Sequence, residues 1–199
     1  KAADALARFE DDVAFFKPKY VSVLLGMNDG QYEDFNPETF ATYQKGMTEI
    51  LEKIEAIGAT AIPLSPTMFD HHQLSLQMKT DTFRFKDRSF SPQYNALMAF
   101  YGAWLQETSG NARLPFVNLW GPLNDFTFSQ RRTKPDFSLV EDTIHPGPAG
   151  QFIMAYSILS QFRPERRSVS YMSIQKEADQ WTAKAKGAKV TGIMTSDDG

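Results

Sequence analysis

The stretch Tyr20-Val21-Ser22-Val23-Leu24-Leu25-Gly26-Met27-Asn28-Asp29-Gly30 governs the reading of the whole chain. Tyr20–Leu25 is a near-continuous apolar run rich in valine and leucine. That composition suits a strand buried on both faces, as in a parallel sheet covered by helices, rather than a half-exposed strand with alternating polarity. The run breaks at Gly26, and the polar residues that follow fall beyond the carboxyl end of the strand. Ligands of doubly wound sheets sit there.

Working outward, Ala3–Phe16 places Leu6, Phe9, Val13 and Phe16 at helical spacing, with Glu10, Asp11 and Asp12 opposite and Pro18 as a stop. Downstream, Asn36-Pro37-Glu38 opens a helix with a capping asparagine, proline at the first helical position and an acid in the first turn. Its apolar stripe is Phe40, Tyr43, Met47, Ile50, Leu51, Ile54 and Ile57, and Gly58 closes it. Ala59–Leu64 is a second buried strand. Ser65–Ser89 has no clean period and is expected to be a long loop or lid. Ser91-Pro92 starts a helix that turns Tyr94, Leu97, Met98, Tyr101, Trp104 and Leu105 inward and stops at Gly110. Pro115–Leu119 is a third short strand, and a last helix from near Pro148 carries Phe152, Ile153, Tyr156, Leu159 and Phe162. Alternation of this kind predicts an α/β fold, a parallel sheet with helices on both faces.

The 199 residues suffice for one domain with a buried core, and 42% hydrophobic and 23% charged content is ordinary for a globular protein. A formal charge of −3 argues against a nucleic-acid partner. Cysteine is absent, which removes disulfides, thiolate metal sites and a cysteine nucleophile. No apolar run reaches the ~18–20 residues of a membrane-spanning helix. The character changes after residue 165. Val169–Ile174 alternates like a strand, Lys184–Lys189 is basic, Lys189–Met194 resembles another strand, and Ser196–Gly199 has turn composition. The expected organisation is therefore a domain over 1–165 and, over 166–199, a linker with the start of a β-rich extension. Such an extension leans toward an extracytoplasmic location.

Two segments carry chemistry: Gly26-Met27-Asn28-Asp29-Gly30, and Asp142-Thr143-Ile144-His145-Pro146 ahead of the last helix. Asn28-Asp29-Gly30 alone is compatible with plain turn chemistry, and a lone histidine before a helix is commonly a capping or surface residue. An aspartate three residues before His145 shifts the balance. At that spacing its carboxylate reaches one ring nitrogen and fixes the tautomer, leaving the other nitrogen to take a proton.

Gly26-Met27-Asn28-Asp29 resembles the G-x-N-D block of SGNH/GDSL hydrolases, and Asp142-Thr143-Ile144-His145 resembles their D-x-x-H block, in the same order and at the expected topological places. The resemblance covers Ala3 to about Phe162. It implies a three-layer α/β/α, flavodoxin-like fold and a serine esterase or lipase-like hydrolase. Asn28 would then donate its amide to the oxyanion of a tetrahedral intermediate, a contribution of roughly 3–4 kcal/mol. His145 would be the general base and then the acid, oriented by Asp142. Asp29 would shape the loop, and Gly26 would let the strand turn sharply. The chemistry needs no metal or organic cofactor. The implied substrate is an acetyl or short-chain acyl ester, possibly of a carbohydrate.

The family's Gly-Asp-Ser block, which supplies the nucleophile, does not occur in this sequence, nor does a G-x-S-x-G elbow. The chain is accordingly expected to lack the first two strands of a five-stranded sheet, the central one included, and to need an N-terminal segment of the same protein. An unpaired edge on Tyr20–Leu25 and an uncovered apolar surface would then leave this chain short of a stable monomer. Two other functions stay open. One is a ligand-binding relative that has lost its nucleophile, and the other an acyltransferase on the same scaffold.

Other candidates are weaker. Adjacent His71 and His72 point apart in extended chain, so a substrate-contacting loop is favoured there over a zinc site. Tyr32, just past the first block, is a second possible substrate contact. Glu33 and Asp34 suit a solvated loop better than a glycosidase pair. Phe69, Phe83, Phe85 and Phe90 are candidates for a lid or for core. The pairs Arg131-Arg132 and Arg166-Arg167 are expected at the surface.

Overall fold

The computed structural model describes residues 1–80, 89–162, 170–178 and 180–191. The chain divides into two compact units, Lys1–Phe162 and Arg163–Gly199.

In the first unit, β1 (Tyr20–Leu24) pairs in parallel with β2 (Thr60–Leu64), from Tyr20 opposite Thr60 to Leu24 opposite Leu64. Between them runs α3 (Pro37–Ala56), started by the Asn36 side chain, which accepts from the N–H groups of Glu38 and Thr39. Gly58 follows at φ 76°, a left-handed turn that frees the chain to enter β2. Further on come α4 (His71–Lys79), α5 (Tyr94–Asn111), α6 (Trp120–Arg131) and α7 (Pro148–Phe162). Alternate residues of the strands serve different layers. Val23 and Ala61 pack into a core with Tyr43, Met47 and Ile54 of α3 and Met98, Tyr101 and Leu105 of α5. Ile62 and Leu64 pack on the other side with Val117, Leu123, Leu139 and, from α7, Ile153 and Ile158. The result is a three-layer α/β/α arrangement around a parallel sheet.

Several expectations differ from this structure. The single helix over Ala3–Phe16 is broken into α1 (Ala2–Ala7), α2 (Phe9–Asp12) and a 3-10 turn at Ala14–Phe16. Docking on α3 overrides the local pattern. Ala2 sits so close to Gly46 that a Cβ there would lie 2.8 Å from the alanine methyl, and Phe9 is buried with Lys53 over its ring. Phe16, placed on the apolar stripe by its spacing, is instead exposed.

The third strand narrows to one parallel bridge, Leu64 to Val117. The ladder stops because the Ser65 hydroxyl takes the N–H groups of Leu119 and Trp120 and so starts α6. The expected loop Ser65–Ser89 contains α4, capped by Asp70 through the N–H of Gln73; Phe83 and Phe85 lie outside the described residues. Helix α6 itself was not anticipated. It is tied to α5 by a buried amide network in which Asn95 donates to Asn124 and accepts from the Trp120 indole N–H.

The second unit contains an antiparallel hairpin of β3 (Tyr171–Glu177) and β4 (Gln180–Lys186), with Lys176 over the Trp181 ring. The basic segment expected over Lys184–Lys189 thus begins inside β4. Residues 189–191 are not strand, and the rest of the strand expected over Lys189–Met194, like Arg166, Arg167 and the final turn, lies outside the described residues.

Candidate active site

The loop after β1 is shaped by one carboxylate. Asp29 is buried; its Oδ2 accepts from the Gly26 N–H at 3.1 Å and its Oδ1 from the Ala2 N–H at 2.7 Å. Gly26 has φ 124°, and a Cβ there would come within 2.5 Å of the Pro66 ring, so both backbone and space require glycine. Gly30 abuts the hydroxyl of Tyr94, which donates to the Met27 carbonyl at 2.5 Å. Between these fixed points Asn28 is exposed. Its Oδ1 accepts from the Tyr32 hydroxyl at 2.6 Å.

The second loop precedes α7 and winds around Asp142. One oxygen of that carboxylate accepts from the N–H groups of Ile144 at 3.0 Å and His145 at 2.6 Å, and the other lies 2.7 Å from His145 Nδ1. Partial burial alone would raise the Asp142 pKa, but the hydrogen bonds from the His145 backbone, its ring and the Ile144 backbone outweigh burial and hold it below the ordinary 3.8. The His145 side chain is 70% exposed, so its second nitrogen is open to solvent.

Thr143, between the pair, is fully buried at φ 82°, a costly conformation for a β-branched residue that persists only where surroundings enforce it. Helix α4 supplies that enforcement. The Asp70 N–H donates to the Thr143 carbonyl at 3.0 Å, the Thr143 hydroxyl donates to Gln77, and the Gln73 and Gln77 amides both donate to the Glu141 carbonyl.

Asn28 and His145 line one cleft of about 290 Å³, whose other walls include Leu24, Leu25, Met27, Thr67 and Ile144. Asn28 also lines an adjoining polar cavity of about 610 Å³ with Gln31, Tyr32 and Glu33. The two loops, 117 positions apart, therefore meet at the carboxyl ends of β1 and β2. His71 is elsewhere: it begins α4, it is not among the residues lining the cleft, and its buried Nδ1 has no partner among the described residues. Tyr32 is buried and reaches the site through Asn28. Asp34 accepts from the Ser91 hydroxyl at 2.6 Å. Ser65, close to the cleft in sequence, is buried with its hydroxyl committed to Leu119, Trp120 and Pro66.

Sequence reasoning missed the support beneath the second loop. The buried Asp70 carboxylate accepts from Arg131 at 2.5 Å and from the Ser138 hydroxyl at 2.7 Å. Arg131, expected at the surface, has a side chain only 14% exposed. The available signal was Asp70 itself, an acid at a helix start with residues 71–79 free of glycine and proline.

A model of the GDSL-like lipase/acylhydrolase family matches residues 1–152. No curated protein sequence matches the chain. Among solved structures, a variant of an acetyl-xylooligosaccharide esterase from Geobacillus stearothermophilus superposes with TM-score 0.61 at 22% identity, covering 84% of this chain and 70% of that one. A gut microbial diltiazem-metabolizing enzyme gives 0.66 at 21% identity over 99% of this chain and 44% of its own. An α/β hydrolase from the metagenome of Lake Arreo, Spain, gives 0.56 at 21%, covering 81% and 67%. At these identities the structural likeness establishes the fold.

Proposed function

We propose, on the premise that this chain belongs to the GDSL-like lipase/acylhydrolase family, that it carries the base, the orienting carboxylate and an oxyanion donor of a serine esterase. The reading calls for a serine nucleophile, which no Gly-Asp-Ser block of this sequence supplies. The observation that carries this reading is the His145–Asp142 pair, joined at 2.7 Å, opening onto the same cleft as the Asn28 amide.

With Nδ1–H donated to Asp142, Nε2 of His145 presents a lone pair. It removes the serine hydroxyl proton as the oxygen attacks the ester carbonyl. The carbonyl oxygen becomes an oxyanion, to which Asn28 Nδ2 donates. Protonated His145 then gives its proton to the departing alcohol, leaving an acyl-serine. Water, deprotonated by the same nitrogen, attacks the acyl-serine; collapse releases the acid and returns the proton to serine. No step calls for a metal or an organic cofactor.

The cleft supports a short acyl group, since its volume is small and its walls are mostly apolar. One relative at the fold level adds to this, the acetyl-xylooligosaccharide esterase, whose catalytic mutants replace a serine and an aspartate. The polar cavity beyond Asn28 suits a hydroxyl-rich alcohol such as a carbohydrate. The test is hydrolysis of p-nitrophenyl acetate by the full-length protein and its His145→Ala variant. Turnover should fall by about 10³-fold or more; unchanged turnover removes His145 as the base.

A further inference from the structure

Tyr32 occupies a position that local preference does not explain. Its backbone is left-handed at φ 64°, directly after Gln31 at φ 59°. For a bulky side chain this is a strained conformation that persists only where the surroundings enforce it. The surroundings hold it there. Its ring lies 5.0 Å from Tyr94, 5.2 Å from Phe90 and 6.2 Å from Phe69, and its carbonyl accepts from the Ser91 N–H at 2.9 Å. Tyr94 in turn fixes the Met27 carbonyl, one residue before Asn28. The aromatic nest therefore grips the first loop at two points on either side of Asn28.

What this grip delivers is the hydroxyl of Tyr32 on Asn28 Oδ1, at 2.6 Å. A phenol hydroxyl is a better hydrogen-bond donor than acceptor, so its bond to Oδ1 favours the amide flip that leaves Nδ2 on the opposite side. Among the described residues Nδ2 has no hydrogen-bond partner, and Asn28 lines the cleft shared with His145. An exposed asparagine without such a partner would sample both flips and present oxygen as often as nitrogen. Only the nitrogen can donate to a developing anion.

We propose that Tyr32 is a positioning residue, whose hydroxyl holds the Asn28 amide with its N–H groups toward the oxyanion. This rests on the assignment of Asn28 as oxyanion donor. It goes beyond the reading of Tyr32 as a substrate contact, since it acts through the hydroxyl on Asn28.

Removing the hydroxyl while keeping the ring, Tyr32→Phe, should lower kcat about tenfold. That is a fraction of the roughly 10²–10³-fold that loss of an oxyanion donor costs. KM and the melting temperature should stay near the parent values, since the aromatic packing is kept. In the double variant with Asn28→Ala, the Tyr32 effect should vanish to within about twofold, because the two residues act in series. The experiment is steady-state ester hydrolysis and thermal melting on the full-length protein and these variants, with the Asn28 side-chain amide followed by NMR. In Tyr32→Phe its two N–H resonances should shift or broaden as the amide gains freedom. If Asn28→Ala lowers kcat while Tyr32→Phe leaves it unchanged, or raises KM alone, the positioning role is overturned and the esterase reading stands. If Asn28→Ala itself leaves kcat unchanged, the oxyanion assignment fails and takes this inference with it.

Discussion

His145 Nδ1 lies 2.7 Å from Asp142 Oδ2, while the backbone N–H of the same histidine reaches Oδ1 at 2.6 Å. One carboxylate thus holds both the ring and the chain that carries it. Replacing Asp142 by Asn keeps the size but allows an amide N–H to face Nδ1, which favours the tautomer with its proton on Nε2. That tautomer cannot accept from a serine. In the full-length protein, Asp142→Asn should lower kcat on the order of 10⁴-fold with a smaller change in KM. Turnover within tenfold of the parent would show that Asp142 does not orient the base.

The same contacts give a pH dependence. Asp142 is held below its ordinary pKa of 3.8 in the folded chain. A carboxylate with a depressed folded pKa contributes stability above its unfolded value and loses it as pH falls through the folded one. The difference in unfolding free energy between the parent and Asp142→Asn should therefore be constant at neutral and mildly acidic pH, and shrink only below about 4. Urea unfolding at a series of pH values checks this. A gap that persists unchanged to the lowest pH would mean the carboxylate is not stabilised by its three donors.

Arg131 offers a test remote from the cleft. It bonds the buried Asp70 carboxylate at 2.5 Å and the Phe137 carbonyl at 2.9 Å. Arg131→Met leaves a buried charge short of its cation and should cost about 3–5 kcal/mol. Because the Asp70 backbone also holds Thr143, the second loop should loosen and kcat should fall as well. Adding Asp70→Asn, which keeps the cap on Gln73 but removes the charge, should recover part of the stability. Additive losses in chemical denaturation would refute the coupling.

Much of this arrangement was legible in the sequence where side chains that bury apolar surface also keep a regular period. The α3 stripe is of that kind, and the Asn36 cap marked the helix start. The apolar run Tyr20–Leu24 placed Asn28 at a strand end. Only Val23 of that run is buried, and Tyr20, Ser22 and Leu24 are exposed, against the expectation of a strand buried on both faces. Helix α6 was not legible because its period is written partly in polar residues. Asn124 and Thr127 face inward with Leu123, while Phe126 and Phe128 are exposed. In α4 only Leu74 is buried; Gln73 and Gln77 serve the Glu141 carbonyl across 64 or more positions. Such long-range amide contacts leave no local pattern. Spacing pointed to Asp142 and His145, but not to the buried Thr143 turn that holds them.

A last consequence concerns the surface. On α7, Ile153, Met154 and Ile158 face the core, whereas Phe152, Tyr156 and Leu159 are 71%, 66% and 71% exposed. Tyr20 and Leu24 on β1 are exposed too, and Leu24 lines the same cleft as Met154 of α7. Apolar surface shared between a strand and a helix invites association, with about 1.5–3 kcal/mol available for each large side chain fully buried. The 199-residue chain alone should therefore elute from size exclusion as dimers or larger species at micromolar concentration. Phe152→Gln, Tyr156→Gln and Leu159→Gln together should shift it toward the monomer while leaving the circular dichroism spectrum unchanged, since these side chains lack core contacts. A parent chain that elutes as a sharp monomer at the same concentration would show that this face does not drive association.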